Sequence, residues 1–351
     1  MAKKCQMGGH ESRSASVAQD FSTPSLPGED GDDGALFRVD PRYATKTVSV
    51  LGKRMAYVEV NDEAIGSATD HTIVFVHGNP TSKYMWRNVM PHCTGLRARL
   101  IAPDLIGMGE SEKLENPDEI QDPDRYSLKS HCRFLTAFLA AVGVNKNVTL
   151  VGHSWGGTLV AQWGSENQEI VRGLVSMEVV YQPFQSWDHV PKKIRAGVKL
   201  LKREAPVCCC CCAFDFGAHL ILKKNLMLES MSDRVNRTLT HAEMEHYRKG
   251  YTEPGEARRP MLSLIRSIPV AGQPEEVVSI MDAGRTWLET SDIPTLFLCV
   301  EPGTMMPGDR DFVRSWRNVT EVAITGAHMV TEDAPDDVGM AIAKWFREKI
   351  I

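Results

Sequence analysis

The chain has 351 residues, 42% of them hydrophobic and 24% charged, with a formal net charge of -5. A chain of this length buries about three quarters of its unfolded surface and suits one large domain carrying an insertion. No stretch reaches the roughly 20 apolar residues needed to span a bilayer, and outside the acidic first 40 residues the chain is too nearly neutral to offer nucleic acid a footprint.

Residues 1–43 are rich in Ser, Gly and Asp, include Gly28-Glu29-Asp30-Gly31-Asp32-Asp33-Gly34 and show no periodicity. Such a segment cannot repay the entropy of ordering, so a disordered tail is expected. It lacks the apolar core of a secretory signal, while its sparse basic residues leave organelle targeting open. Thr47–Val50 and Met55–Val60 alternate around Gly52-Lys53 and read as an antiparallel hairpin. Short apolar runs follow at Thr72–Val76, Leu100–Ala102, Val148–Val151, Leu174–Met177, Thr295–Val300 and Glu321–Ile324. They read as buried parallel strands, and between them Leu128–Val142 and Gly156–Glu166 carry apolar residues at helical spacing. The fold class is therefore α/β, a mostly parallel central sheet flanked by helices, with sites at the carboxyl ends of the strands. The expected core domain covers 44–179 and 288–351, and a helical cap domain is inserted at 180–287.

Nine cysteines, Cys5, Cys93, Cys132, Cys208 to Cys212 and Cys299, are an odd number in a chain without a recognisable signal. They indicate a reducing compartment, and a cytoplasmic location is expected. The Cys208 to Cys212 run reads as an unusual apolar segment, with lipidation or metal binding as weaker readings, because no histidine or second pair stands at zinc-like spacing. Asn147, Asn236 and Asn318 begin N-x-[ST] triplets that would matter only in a secreted chain.

Every candidate for chemistry falls where a strand ends. Gly152-His153-Ser154-Trp155-Gly156 follows Val148–Val151 and forms the strand-turn-helix elbow that lifts a nucleophilic serine above a sheet. Glycines two before and two after the serine let strand and helix approach. His77-Gly78-Asn79-Pro80 ends an earlier strand, and the backbone N–H groups of Asn79 and Trp155 are expected to form an oxyanion hole. Asp104, in Pro103-Asp104-Leu105-Ile106-Gly107-Met108-Gly109, is assigned to structure, and His153 to packing within the elbow. His328, after the last strand and preceded by Gly326, is the candidate base; the order serine, acid, histidine suits this assignment. Two glutamates end neighbouring strands, Glu178 and Glu301, and position alone favours Glu301 as the acid that orients the imidazole.

Taken together, His77-Gly78-Asn79-Pro80-Thr81-Ser82 with Tyr84 and Trp86, Pro103 to Gly109, Gly152 to Gly156, Glu178, Arg258-Arg259-Pro260 and His328 with Glu332-Asp333-Ala334-Pro335 make the chain resemble a known family. It is similar, over residues 45–350, to the haloalkane dehalogenases and the Renilla-type luciferases, and the resemblance implies an α/β-hydrolase fold. It also implies Glu178 as the acid, and Asn79 with the Trp155 indole as a pair of the kind that holds halide. The resemblance breaks at the nucleophile, where the family has aspartate and this chain has Ser154. A second departure is Leu264-Ile265, where the luciferase has Trp-Pro, so a reshaped pocket is expected.

That exchange changes the expected chemistry. An aspartate displacing halide leaves an alkyl ester whose carbonyl water can attack, whereas a serine would leave an ether with no carbonyl. Serine suits an acyl substrate, so the leading expectation is a carboxylesterase-like serine hydrolase with Ser154, Glu178 and His328 as triad. A coelenterazine-type oxygenation and a non-catalytic small-molecule binding protein are the alternatives. The expected partner is an ester or other apolar small molecule, with no cofactor, metal or nucleic acid; the sequence assigns no oligomeric state.

Overall fold

The computed structural model describes residues 43–61, 71–115, 125–203 and 215–351. The expected tail up to residue 42 and the Cys208 to Cys212 run lie outside the described residues. Tyr43, assigned to the tail from sequence, is buried at 2% exposure. An aromatic ring packed in the core cannot belong to a disordered segment, so that boundary moves back by at least one residue.

The sheet begins with a tight reversal. Val50 pairs with Lys53, which leaves Leu51 and Gly52 as the turn, at φ of 50° and 78°, the left-handed backbone a two-residue hairpin needs. The flanking strands are β1 (Thr45–Val50) and β2 (Lys53–Val60). After them come β3 (His71–Val76), β4 (Ala98–Pro103), β5 (Val148–His153), β6 (Val171–Met177), β7 (Thr295–Pro302) and β8 (Val319–Gly326). Across the sheet they lie in the order β1-β2-β4-β3-β5-β6-β7-β8. β1 and β2 are antiparallel to their neighbours and the strands from β4 onward are parallel. β3 and β5 are apolar almost without interruption because helices cover both faces, whereas β8, at the edge, alternates between exposed and buried. The order reverses around β3, and the crevice that such a reversal opens lies at the carboxyl ends of β3 and β5.

The longer helices among the described residues are α1 (Leu128–Ala141), α2 (Trp155–Glu166), α3 (Lys192–Leu201), α4 (His241–Arg248), α5 (Arg259–Arg266), α6 (Glu275–Thr290), α7 (Pro307–Arg314) and α8 (Pro335–Lys349). Ser127 caps α1 by accepting the Ser130 N–H at 3.2 Å, and Thr240 with Glu243 forms a reciprocal capping box at α4. α6 packs against α2 at two glycines. A Cβ on Gly164 would stand 2.4 Å from the Trp287 ring, and one on Gly284 would stand 3.0 Å from the Ala161 Cβ. This places α6 against α2, in the layer that covers the sheet. Among the described residues no helix is long and apolar enough to cross a membrane.

One buried ionic cluster ties the helical insertion to the sheet. Arg87, 1% exposed in its side chain, follows the turn Lys83–Trp86 and donates to both oxygens of Glu332 at 2.5 and 2.7 Å. It also donates to Glu243 Oε1 at 2.6 Å. Arg237 donates to both carboxylates, the Tyr247 hydroxyl donates to Glu332, and the Arg87 guanidinium lies 4.1 Å above the Tyr84 ring. Two cations thus face two carboxylates from four segments: the turn between β3 and β4, the loop before α4 that carries Arg237, helix α4 and the one-turn helix Val330–Asp333 after β8.

Removing Arg87 would leave two buried carboxylates facing one another across Arg237. Arg87→Met is expected to cost about 3–5 kcal/mol, read as a fall in the urea midpoint. Burial works to raise the Glu243 carboxyl, but the hydrogen bonds from Arg237 and from the Thr240 N–H outweigh it and hold it at about 2, below its ordinary 4.5. The sign follows: this carboxylate stabilises the folded chain fully above pH 4.5, and the contribution is lost as pH falls toward 2. Between those limits the wild type should lose more stability than Glu243→Gln in urea titrations.

Candidate active site

The turn after β5 is strained and sterically closed. Ser154 sits at φ 53° and ψ -128° with α2 starting at the next residue, and its N–H donates to the Met177 carbonyl at 3.2 Å. A Cβ on Gly152 would come 2.4 Å from Gly157 Cα, and one on Gly156 would come 2.1 Å from the Val76 carbonyl oxygen. The loop after β3 comes equally close, since a Cβ on Gly78 would stand 2.7 Å from Ser154 Cβ and 3.1 Å from its Oγ. The two strand-end loops therefore meet at the serine because three positions carry no side chain.

His77 and Asp104 brace this meeting. The Leu105 N–H donates to His77 Nε2 at 2.9 Å, so the ring proton is on Nδ1, which donates to the Gly78 carbonyl at 2.7 Å. Burial lowers the His77 pKa, and the neutral ring is a structural link. Asp104 accepts the Lys83 N–H at 2.7 Å, its ammonium at 2.7 Å and the Glu110 N–H at 2.8 Å. Those three donors account for its carboxylate without a catalytic role.

Glu178 and His328 come together at the ends of β6 and β8. Glu178 is 2% exposed, and its Oε2 stands 3.1 Å from His328 Nδ1. The same oxygen accepts the Thr304 N–H at 2.7 Å and the Thr304 hydroxyl at 2.5 Å. Burial pushes the Glu178 carboxyl up, but the His328 and Thr304 hydrogen bonds outweigh it and hold the group below the ordinary carboxylate range. Glu301 stands exposed on β7, and no hydrogen bond joins it to His328 among the described residues. The position that the bare sequence favoured for the acid is thus not where a carboxylate meets the imidazole.

The backbone of the His328 loop is fixed as well. His153 Nε2 donates to the His328 carbonyl at 2.7 Å, the Ala327 N–H donates to Asp333 Oδ2 at 2.7 Å, and the Met329 N–H donates to the Arg234 carbonyl at 2.9 Å. His153 is buried, and burial together with the neighbouring His328 lowers its pKa to about 3. It is a neutral brace between the elbow and the His328 loop. Ser154 Oγ makes no hydrogen bond among the described residues, so serine and imidazole are not joined in this state.

Asn79 and Trp155 flank the serine differently from one another. The Asn79 amide nitrogen donates to the Met261 carbonyl of α5 at 3.0 Å and lies 3.5 Å from Met227 Sδ, and the side chain is buried. It is thereby engaged by the helical insertion. Trp155, at the first position of α2, is half-buried. A separate cavity of about 420 Å³, bounded by Tyr43, Lys83, Tyr84, Glu110, His246 and Lys249, includes none of Ser154, Glu178 and His328. Sequence reasoning missed Thr304, for which Gly303 in the turn after β7 was the available signal.

A mostly parallel sheet with its order reversed at the central strand, and functional loops at the strand ends, is the architecture of the α/β-hydrolases; residues 71–205 match the family described as alpha/beta hydrolase fold. Haloalkane dehalogenases from Sphingobium indicum and Mycolicibacterium smegmatis are 41% and 42% identical, covering 86% and 85% of this chain and 95% and 89% of the relatives. The coelenterazine h 2-monooxygenase of Renilla reniformis is 33% identical over 87% of this chain and 91% of its own length. The crystal structure of the haloalkane dehalogenase DbeA from Bradyrhizobium elkani superimposes with a TM-score of 0.76 at 28% identity, covering 87% of this chain and 98% of that one. The chain belongs to the haloalkane dehalogenase family of α/β-hydrolases, the group that its motifs resembled from the outset.

Gly156→Ala tests the closed geometry of the elbow, since its methyl group would meet main-chain atoms that cannot rotate away. A loss of about 1–3 kcal/mol is expected from overpacking, measured as a lower urea midpoint. A midpoint equal to that of the wild type would mean that the turn has more room than these distances allow.

Proposed function

We propose that this α/β-hydrolase cleaves carboxylic esters, with Ser154 as nucleophile, His328 as base and Glu178 as the acid that orients it. The observation that carries the reading is the position of Ser154 at the strained turn after β5, with a carboxylate-paired imidazole on the loop that follows β8. His328 Nε2 takes the Ser154 proton as Oγ bonds to the acyl carbon, and the carbonyl oxygen becomes the oxyanion. The N–H groups of Asn79 and Trp155 receive that oxyanion, each worth about 3 kcal/mol of barrier. Collapse expels the alcohol, which takes the proton from His328, and water deprotonated by the same imidazole then cleaves the acyl-enzyme. The missing serine–imidazole hydrogen bond is compatible with this, because such bonds often tighten only with substrate in place.

The dehalogenases among the relatives do not transfer their named reaction to a serine. Displacement of halide by Ser154 would end in an ether, and an ether gives water no carbonyl to attack. A second reading, oxygenation of a coelenterazine-like compound, is favoured by the Renilla relative and requires no covalent nucleophile. We further propose that the helices between β6 and α6 form a cap that selects the substrate, with Met227 and Met261 beside Asn79 as its inner face.

A fluorophosphonate probe should label Ser154, and p-nitrophenyl esters should be hydrolysed. Ser154→Ala should lower kcat by a factor on the order of 10⁴ to 10⁶. Ester turnover unchanged in Ser154→Ala, together with an unlabelled wild type, would refute the hydrolase reading, and light emission with coelenterazine would support the second. Halide release from a 1-haloalkane should not exceed one equivalent per wild-type enzyme and should become multiple-turnover in Ser154→Asp.

A further inference from the structure

Thr304, on the turn that leaves β7, touches both members of the acid–base pair, and nothing derived above gives it a role. Its hydroxyl oxygen is 2.5 Å from Glu178 Oε2 and 2.9 Å from His328 Nδ1. Glu178 itself is farther from the ring nitrogen, at 3.1 Å. The threonine is therefore the nearer of the two partners of His328 Nδ1.

Proton counting decides the direction of these bonds. A hydroxyl has one proton, and two oxygens 2.5 Å apart repel unless a proton lies between them. The Thr304 proton therefore goes to the Glu178 carboxylate, and a hydroxyl oxygen that has donated its proton can only accept from the ring. His328 Nδ1 must then carry a hydrogen, which leaves Nε2 as the unprotonated, basic nitrogen.

We propose that Thr304 is a positioning residue of the catalytic site, a hydroxyl that links Glu178 to His328 and fixes the imidazole in the tautomer with its proton on Nδ1. This deepens, and rests on, the reading of Ser154, His328 and Glu178 as a hydrolytic triad. The main chain is shaped for the contact. Gly303 is at φ 54°, and a Cβ on it would stand 2.4 Å from Glu178 Oε1 and 2.6 Å from the Val300 carbonyl oxygen. Only glycine lets the turn fold so closely over the carboxylate that the Thr304 N–H, at 2.7 Å, and hydroxyl reach the same oxygen. The Gly303 N–H donates to the Gly326 carbonyl at 3.1 Å, which ties this turn to the strand that delivers His328. When the ring becomes imidazolium, its Nδ1–H still faces the Thr304 hydroxyl oxygen, so the ring keeps its orientation through the step.

Thr304→Val keeps the shape of the side chain and removes the hydroxyl, and Thr304→Ser restores it. With a p-nitrophenyl ester, Thr304→Val should lower kcat about 10-fold or more with KM unchanged, and Thr304→Ser should recover most of the loss. With ¹⁵N-labelled histidine, the wild type should show a slowly exchanging His328 Nδ1–H resonance that is lost in Thr304→Val and returns in Thr304→Ser. A Thr304→Val variant with wild-type kcat and an intact resonance would overturn the proposal. So would a Thr304→Ser variant as impaired as Thr304→Val. If the wild type hydrolyses no ester, loss and recovery of the resonance still uphold the Thr304 link while the hydrolase reading falls.

Discussion

The close approach of three chain segments at Ser154 is the constraint on which the rest depends. The ends of β3 and β5 and the start of α2 converge to distances that no side chain would survive, and Gly78, Gly152 and Gly156 are what permit it. The positive φ of Ser154 belongs to the same convergence, which brings the loop after β3 against the serine. The conformational cost is carried by the most buried strands of the sheet, where backbone hydrogen bonds and apolar packing overdetermine the geometry. The placement of Ser154 is thus a property of the centre of the core rather than of a surface loop.

Around that centre the polar groups divide into those that brace and those available for chemistry. His77, His153 and Asp104 are all buried, and their partners are main-chain groups or an internal lysine. Glu178, Thr304 and His328 instead form a chain of contacts that runs from a buried carboxylate to a partly exposed ring. Their environments push them apart: desolvation keeps the bracing histidines neutral, whereas donors around Glu178 keep it charged. A carboxylate that remains ionised beside an imidazole is what general-base chemistry needs.

Much of this was legible in the sequence where a local rule applies. Buried parallel strands announce themselves as apolar runs, and Thr72–Val76 and Val148–Val151 lie within β3 and β5. The elbow announces itself through its glycine spacing, and Asp104 through a turn motif rich in glycine. What the sequence could not supply depended on contacts between distant segments. Glu301 ends the run Thr295–Val300, yet β7 carries the chain past it, and the turn after Pro302 brings Thr304, not a carboxylate, to the site. Arg87 and Glu332 are 245 residues apart in the chain, and no periodicity links them. The α6 helix reads like the rest of the insertion until Gly164 and Gly284 show what it packs against. Leu51, at φ 50°, adopts a backbone that its residue type gives no reason to expect.

The position of β8 gives the arrangement an uneven mechanical character. The serine follows a strand with neighbours on both sides, whereas the histidine follows β8, which among the described residues has a partner strand on one side alone. The Arg87–Glu332 cluster and the His153 bond to the His328 carbonyl supply from the side the restraint that a ninth strand would otherwise give. The helical insertion thereby acts as a buttress for the weakest-supported residue of the site. Loosening it would shift the His328 ring while leaving Ser154 and its turn in place, so disorder under stress would begin at the imidazole rather than at the serine.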